Sequence, residues 1–396
     1  MNTKKLLFIA MVFGLIGAKH LTPQDLYKKG LHELEAPNGN LTLAVDYFLK
    51  AAQKNYAPAQ FTLGNLYREG KGVTSNCQKA IHYYELAAKQ NIQAAQFNLS
   101  LIYSDHSCVP ADLKKSIDYL KQAADNGYAR AQYNLALYYL DDSHEKALFY
   151  LNQATKNRFA PAYFLLARLY EEGEILPANA EKAFHLYQKA EQKGHIPASY
   201  ALGLMYYNGH GTKKNLKMAV LYIQKAADKG HKQATFDLGL MYENGDGVKQ
   251  DLKKAIHYYQ LAAQAEHATA YFKLGFIYES GLLGHHDFKK AIDMYHQAAI
   301  FGNFNGMLNI GIMYAGGTGV PQDYKKAMQY FKVAAQNGVA NAQYNVAILY
   351  FYGKGTHIDL DLSYKWMQTA CINELEKACE AKINMYHNIQ GQFKVN

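Results

Sequence analysis

Nothing inside this chain runs long with one kind of residue. Its 396 residues hold eight prolines, four cysteines and one tryptophan, with no interior linker, low-complexity tract or charge run. Length alone would suggest two or three domains, but no boundary between dissimilar segments shows itself. Basic residues exceed acidic ones by +9, yet the excess is spread thinly. A protein that tracks phosphates gathers Lys and Arg into a stripe, so nucleic acid is not an expected partner. One apolar run stands out, residues 6–18 after Lys4-Lys5, too short to span a bilayer comfortably and ending on small residues. That is the pattern of a secretory signal over residues 1–18, with cleavage after Ala18. No cysteine follows it, so a lipoprotein anchor is not expected, and neither is stable membrane insertion once the signal is gone. Its two lysines leave with it, taking the charge from +9 to +7. The expected location is periplasmic or secreted.

What the chain has in quantity is tyrosine, 34 of them, many set on a ruler. Tyr67, Tyr103, Tyr139, Tyr170, Tyr206, Tyr242, Tyr278, Tyr314, Tyr350 and Tyr386 follow at steps of 36 residues, with one step of 31 after Tyr139. A fixed period of this size means stacked supersecondary units. In the unit around Tyr242, Ala234, Phe236, Leu238 and Gly239 fall at helical spacing, which predicts a first helix. Asn244-Gly245-Asp246-Gly247 ends it, because glycine closes a helix in the left-handed region. Asp251 then caps a second helix carrying Ala255, Tyr258, Tyr259 and Ala262-Ala263. Such a hairpin cannot bury its apolar face alone and must stack on its neighbours.

The spelling A-x-x-x-L-G-x-x-Y-x-x-G-x-G-V, then K-A and an Ala-Ala pair, resembles the Sel1-like repeat. It reads through Ala59 to Ala88, Ala234 to Ala263 and Gly306 to Ala335. Tetratricopeptide repeats are the near alternative, but they lack the Gly-x-Gly turn. Two units depart: one has His106-Ser107-Cys108 at the turn, and the next is shortened around Asp141-Asp142-Ser143. The resemblance implies an all-α fold, an α/α solenoid in which hairpins stack into a right-handed superhelix with a C-terminal capping helix. The expected division is a signal at 1–18, a degenerate repeat at 19–56, nine repeats at 57–372, and a capping helix with tail at 373–396. That last helix is expected to run unbroken from Asn373 to Ile389.

The same resemblance guides the cysteines. Cys371 replaces the second alanine of the Ala-Ala pair and Cys379 follows Ala378, as in the pair closing each hairpin junction in secreted, cysteine-rich Sel1-like proteins. A Cys371–Cys379 disulfide is therefore implied. Cys77 and Cys108 lie on the same edge of adjacent units, and whether they pair stays open, although an even count in an exported chain favours oxidation.

Most other eye-catching residues have a packing explanation. The column Phe61, Phe97, Tyr133, Phe164, Tyr200, Phe236, Phe272 and Tyr344 is too regular for a ligand stripe and is expected to pack between units. Trp366, in the column of Tyr47, Tyr83, Tyr119, Tyr222, Tyr258 and Tyr330, is expected in the core. The Gly-x-Gly turns lack the strand that a phosphate loop needs. Sixteen histidines are scattered, His285-His286 among them, with too few neighbouring carboxylates for a metal site. Ser143-His144-Glu145-Lys146 spells Ser-x-x-Lys, the nucleophile motif of penicillin-recognising enzymes. With nine serines and 38 lysines, about one such match arises by chance, and neither Ser-Asp-Asn nor Lys-Thr-Gly completes the set. No catalytic residue, cofactor or metal is expected.

The expected function is therefore a scaffold, exported and monomeric, that holds a protein or peptide of the envelope or of a host. In this family first helices line the concave side, so the variable columns there are the candidate binding residues. One comprises Asn98, Asn134, Asp237, Lys273, Asn309 and Asn345; the other, one turn on, includes Asn65 and Arg168. The four asparagines of the first column could offer amides to a partner's backbone. The competing readings are a peptidoglycan- or β-lactam-directed protein, through penicillin binding or weak β-lactamase activity, and a structural, chaperone-like role.

Overall fold

The computed structural model describes residues 21–106 and 108–383. Residues 1–18 and Tyr386 lie outside that range. The described residues form helices and no strand. First helices of successive hairpins are α1 (Pro23–Glu35), α3 (Ala57–Glu69), α5 (Gln93–Ser104), α7 (Ala129–Tyr139), α9 (Ala160–Glu172), α11 (Ile196–Asn208), α13 (Lys232–Asn244), α15 (Ala268–Ser280), α17 (Asn305–Gly316) and α19 (Ala340–Tyr352). Second helices are α2 (Leu41–Gln53), α4 (Cys77–Ala88), α6 (Leu113–Asp125), α8 (His144–Lys156), α10 (Ala180–Gln192), α12 (Leu216–Ala227), α14 (Leu252–Gln264), α16 (Phe288–Ile300), α18 (Tyr324–Gln336) and α20 (Leu360–Ile372). Consecutive hairpins pack as a solenoid. Two compact units divide the chain, unit 1 holding α1–α9 and unit 2 holding α10–α20, with 192–194 assigned to the first.

Each hairpin closes on one small residue facing one large one. A Cβ added to Gly239 of α13 would lie 2.6 Å from Cε1 of Tyr259 on α14, and one at Gly275 would lie 2.6 Å from Tyr295. Gly64 meets Tyr84 and Gly311 meets Phe331 in the same way, at 2.5 and 2.4 Å. Where the first helix carries Ala347 instead, the facing residue is Met367, in the same core cluster. Volume is thus balanced across the seam, and overfilling it would cost about 1–3 kcal/mol.

The turns explain both glycines. Gly245 ends α13 at φ 83°, in the left-handed region. Gly247 does something different: a Cβ there would sit 2.4 Å from the carbonyl oxygen of Leu216, the first residue of the preceding α12. The second glycine, where a turn has one, therefore lets that turn rest on the start of the helix one repeat back. Gly72 approaches Leu41, and Gly355 approaches Tyr324, at the same place. In one of the repeats that lack this glycine, Cys108 occupies its position and is bonded to Cys77, the first residue of α4, with Cα atoms 5.6 Å apart. A covalent bond stands where other repeats make a backbone contact.

The tyrosine ruler has an equally local cause. Tyr242 stacks on Tyr258 of the same hairpin, centroids 5.5 Å apart and planes 11° from parallel, with the Lys254 Nζ 5.0 Å from the Tyr242 centroid. Tyr67, Tyr103, Tyr139 and Tyr314 repeat the arrangement with Lys79, Lys115, Lys146 and Lys326. Tyr67 and Tyr139 are buried, but Tyr103, Tyr242 and Tyr314 are only half-buried, and so is Trp366, beside two core clusters and not inside one. The fully enclosed rings are one residue further along, at Tyr84, Tyr259 and Tyr295. Helical geometry turns that neighbour inward by about 100°. The column Phe97, Tyr133 and Phe236 packs against Tyr128, Phe159 and His267, at the start of the next repeat.

The C-terminal helix does not begin at Asn373. Asn373 caps α20, Glu374 adopts φ 62°, and the helix starts at 376, with Ala378 fully buried. Asn55, Asn91, Arg158 and Glu266 hold the same left-handed conformation on the same ruler, so Glu374 continues the loop that joins every repeat to the next. Cys371 and Cys379 are joined across it, with Cα atoms 4.7 Å apart.

Candidate protein-binding face

The asparagine column lies at the edge of the first helices, half-buried, and much of it is occupied internally. Asn65 accepts from the Tyr84 hydroxyl at 2.7 Å and from Asn98 at 3.3 Å. Asn309 donates to the Tyr295 hydroxyl at 3.0 Å, and Tyr295 donates to Glu279. Asp237 accepts from Tyr200 at 2.7 Å and from Gln233 at 2.9 Å. Lys273 pairs with Glu243 at 3.1 Å, Glu243 also accepting from Tyr259. Arg168 pairs with Glu172 one turn along its own helix. Only Asn134 and Asn345 make no side-chain hydrogen bond among the described residues.

These bonds fix protonation states as well as positions. Burial pushes the hydroxyls of Tyr259 and Tyr295 far above the ordinary phenol value, and the carboxylate beside each pushes them further. Burial and then Asp237 do the same to Tyr200. All three hydroxyls therefore remain protonated donors across the physiological range.

What remains open is apolar. Leu101 and Leu137 of unit 1 are each 41% exposed, and in unit 2 Phe276 and Ile312 are 46% and 48% exposed. They occupy one column of the first helices, three residues after the asparagine column and thus on the same face. Sequence reasoning placed this column on the face but chose its polar members, Asn65 and Arg168. The signal for the others was present: apart from Asn65 and Arg168 the column stays apolar, even where its side chains are as exposed as Leu101, Leu137, Phe276 and Ile312. In unit 2 the face also holds a cavity of about 290 Å³ between α11 and α13, walled by Leu204, Leu240 and Met241 and edged by Asn208, Asp237 and Asp246.

The remaining motifs are absorbed by the fold. Ser143 precedes α8, and Lys146 lies over the Tyr139 ring at 5.1 Å, as the equivalent lysines of other repeats do. His286 donates through Nδ1–H to the Glu279 carbonyl at 2.6 Å and stacks on Phe288. Among the described residues no three His, Cys, Asp or Glu side chains group so as to hold a metal. No described helix is long and apolar enough to cross a membrane.

Ten consecutive stretches match the Sel1 repeat: 25–56, 57–92, 93–128, 129–158, 160–195, 196–231, 232–267, 268–300, 305–339 and 340–373. The chain belongs to the Sel1 repeat family. Among solved structures it is similar to a protective antigen of uropathogenic Escherichia coli strains displaying an SLR fold, with 22% identity and a TM-score of 0.64. That pairing covers 98% of this chain and 91% of the other. It is also similar to a Sel1 repeat protein from Oxalobacter formigenes, with 27% identity, a TM-score of 0.62, and coverage of 77% and 90%. No protein of curated function matches. A Sel1 repeat scaffold of this kind is consistent with protein–protein interaction.

Proposed function

We propose that this chain is an exported Sel1 repeat scaffold that holds a segment of a partner protein on the face of its first helices, in the cell envelope or toward a host. Phe276 and Ile312 carry the reading. They stand on consecutive first helices of unit 2, each about half exposed at 46% and 48%, and each at the same place in its repeat. A side chain released from packing duty yet kept apolar suits contact with apolar residues of another protein. Export is supported by the signal pattern in 1–18 and by the bonding of all four cysteines, since disulfides persist in oxidising compartments.

The test places a photo-cross-linking amino acid at Ile312, or at Leu221, which is exposed on α12, in the full chain. Irradiation in extracts of envelope and host cells should give a discrete adduct from position 312 and none from 221. Equal labelling from both, or none from either, would remove the first-helix face from consideration. Mass analysis of the extracytoplasmic protein should show a start near Lys19; an intact Met1 would contradict cleavage.

A further inference from the structure

The cavity between α11 and α13 has a chemistry of its own. Its walls are apolar, Leu204 and Leu240 at the sides and the buried Ile223 and Met241 beneath, while Asp237 and Asp246 stand at its rim. Each aspartate accepts from one tyrosine and one amide, Asp237 from Tyr200 at 2.7 Å and Gln233 at 2.9 Å, Asp246 from Tyr207 at 3.0 Å and Asn244 at 3.4 Å. An ionised carboxylate has about four acceptor sites, so capacity is left on both. No lysine or arginine lines the cavity, and neither aspartate forms a salt bridge among the described residues. The absence of a cation is local, because the chain as a whole is +9. The two lysines of the surrounding first helices are engaged elsewhere: Lys273 with Glu243, and Lys232 at the Glu266 carbonyl.

From this charge complementarity we infer that the cavity receives a basic side chain, arginine above lysine, of the partner segment held on this face. The inference rests on the scaffold reading and names the partner's chemistry: a segment with one arginine and an apolar residue that reaches Phe276 or Ile312. Leu204 and Leu240 cover the methylene stem, and the guanidinium meets Asp237 and Asp246. Arginine suits the site better than lysine because its planar fork can donate to two carboxylates at once, whereas an ammonium is a compact, strongly hydrated point charge. The amides of Asn208 and Asn244 beside the cavity add acceptors for the remaining N–H groups.

A random twelve-residue peptide library, displayed on phage and selected against the full oxidised chain, tests this. Selected peptides should share an arginine at a fixed distance from a large apolar residue. Their synthetic versions should bind at least about tenfold more weakly to Asp237→Asn/Asp246→Asn, and equally more weakly when citrulline replaces the arginine. Asparagine keeps an acceptor for Tyr200 and Tyr207, so the fold is expected to stand, and an unchanged helical circular dichroism spectrum verifies it. Should that variant unfold, Asp246→Asn alone, with the citrulline peptide on the unaltered chain, still decides the matter. Selected peptides without a basic residue, or unaffected by the double substitution and by citrulline, overturn the inference while leaving the scaffold reading in place. A library that yields no specific peptide overturns both.

Discussion

At the junction where one repeat hands the chain to the next, unit 1 buries a glutamine and the middle of unit 2 uses a histidine. In unit 1, Gln60, Gln96 and Gln132 are buried, and each amide nitrogen donates back to an alanine carbonyl at the end of the previous helix, Gln96 to Ala88 at 3.2 Å. Each amide oxygen accepts from the loop that leads to the next repeat: Gln96 from Asn126 at 3.0 Å, and Gln132 from Asn157 at 2.8 Å. The residues that precede those first helices, Tyr56, Ile92 and Tyr128, give no side-chain cap. In unit 2 the glutamine positions hold Thr235 and Tyr271, and His231 and His267 cap α13 and α15 through Nδ1, at 3.1 and 3.2 Å. Gln343 brings the glutamine back late in unit 2, and there Val339 again gives no cap. Either device satisfies backbone groups that a helix end would otherwise leave open. Only the histidine can be switched off by a proton.

Each unit also has one junction closed covalently, and removing those bonds is the largest perturbation available. Cys371 and Cys379 occupy the positions of Ala335 and Gln343, so the sulfur bridge replaces the glutamine-to-carbonyl hydrogen bond. Cys77–Cys108 closes a span of 31 residues and Cys371–Cys379 a span of eight. Loop-closure entropy then gives about 3.5 kcal/mol for the first and about 2.5 kcal/mol for the second as upper values. Cys77→Ala/Cys108→Ala should raise hydrogen exchange over α4 and α5 and leave α13 to α17 unchanged. Cys371→Ala should loosen the chain from about Trp366 onward and spare α3 to α7. Exchange that rises throughout both units would mean that stability is pooled along the array and not held by neighbours.

Breaking a glutamine junction comes next. Gln96→Leu removes two hydrogen bonds, leaving the Ala88 carbonyl with the Asn91 N–H alone and the Asn126 amide without its Gln96 acceptor. The expected loss is about 1–3 kcal/mol, read as a lower urea midpoint at unchanged slope. The loss should be the same at pH 7.5 and pH 5. A loss confined to one pH would show that unit 1 carries a titrating group at this junction after all.

How much of this was legible beforehand follows from repetition. The hairpin, the Gly-x-Gly turn, the Ala-Ala pair and the Asp251 cap recur, so a ruler finds them without coordinates. The internal partners of the asparagine column were not legible, because the ruler does not pair them: Asn65 turns to Tyr84 in the second helix of its own hairpin, and Asn309 to Tyr295 one repeat back. The break at Glu374 was hidden because a glutamate, and not the glycine of Gly230 or Gly338, holds the left-handed position there. The exchange of glutamine for histidine was hidden for a third reason. The two residues stand in columns four positions apart, so neither column alone shows that one substitutes for the other.

The smallest effect is also the one that separates the two units most cleanly. Burial lowers the affinity of His231 and His267 for protons below the ordinary value of 6.5, and Asp237, facing both, opposes this only in part. His195, before α11, is lowered by burial as well. The other near charge is Lys232, which lowers His267 further. Because the folded-state pKa lies below 6.5, the unfolded chain binds more protons as the pH falls through 6.5. Stability contributed by neutral histidine is therefore full above that pH, declines below it, and levels off once the folded pKa is passed. A protonated ring can no longer accept the Ala234 or Ala270 N–H, and its charge opposes the helix dipole. Protection factors at the starts of α13 and α15 should thus drop between pH 7.5 and pH 5, while those of α3, α5 and α7 hold. His267→Tyr sharpens the contrast, since it installs the residue that unit 1 uses at Tyr128, where the ring already packs on Phe97 as His267 does on Phe236. At pH 7.5 the variant should lose one cap bond and the Gln233 contact, a cost of about 1 kcal/mol. At pH 5 the cost should shrink or reverse, because the group that weakened α15 is gone. A variant whose deficit stays constant from pH 7.5 to pH 5 would assign the acid sensitivity to some group other than His267.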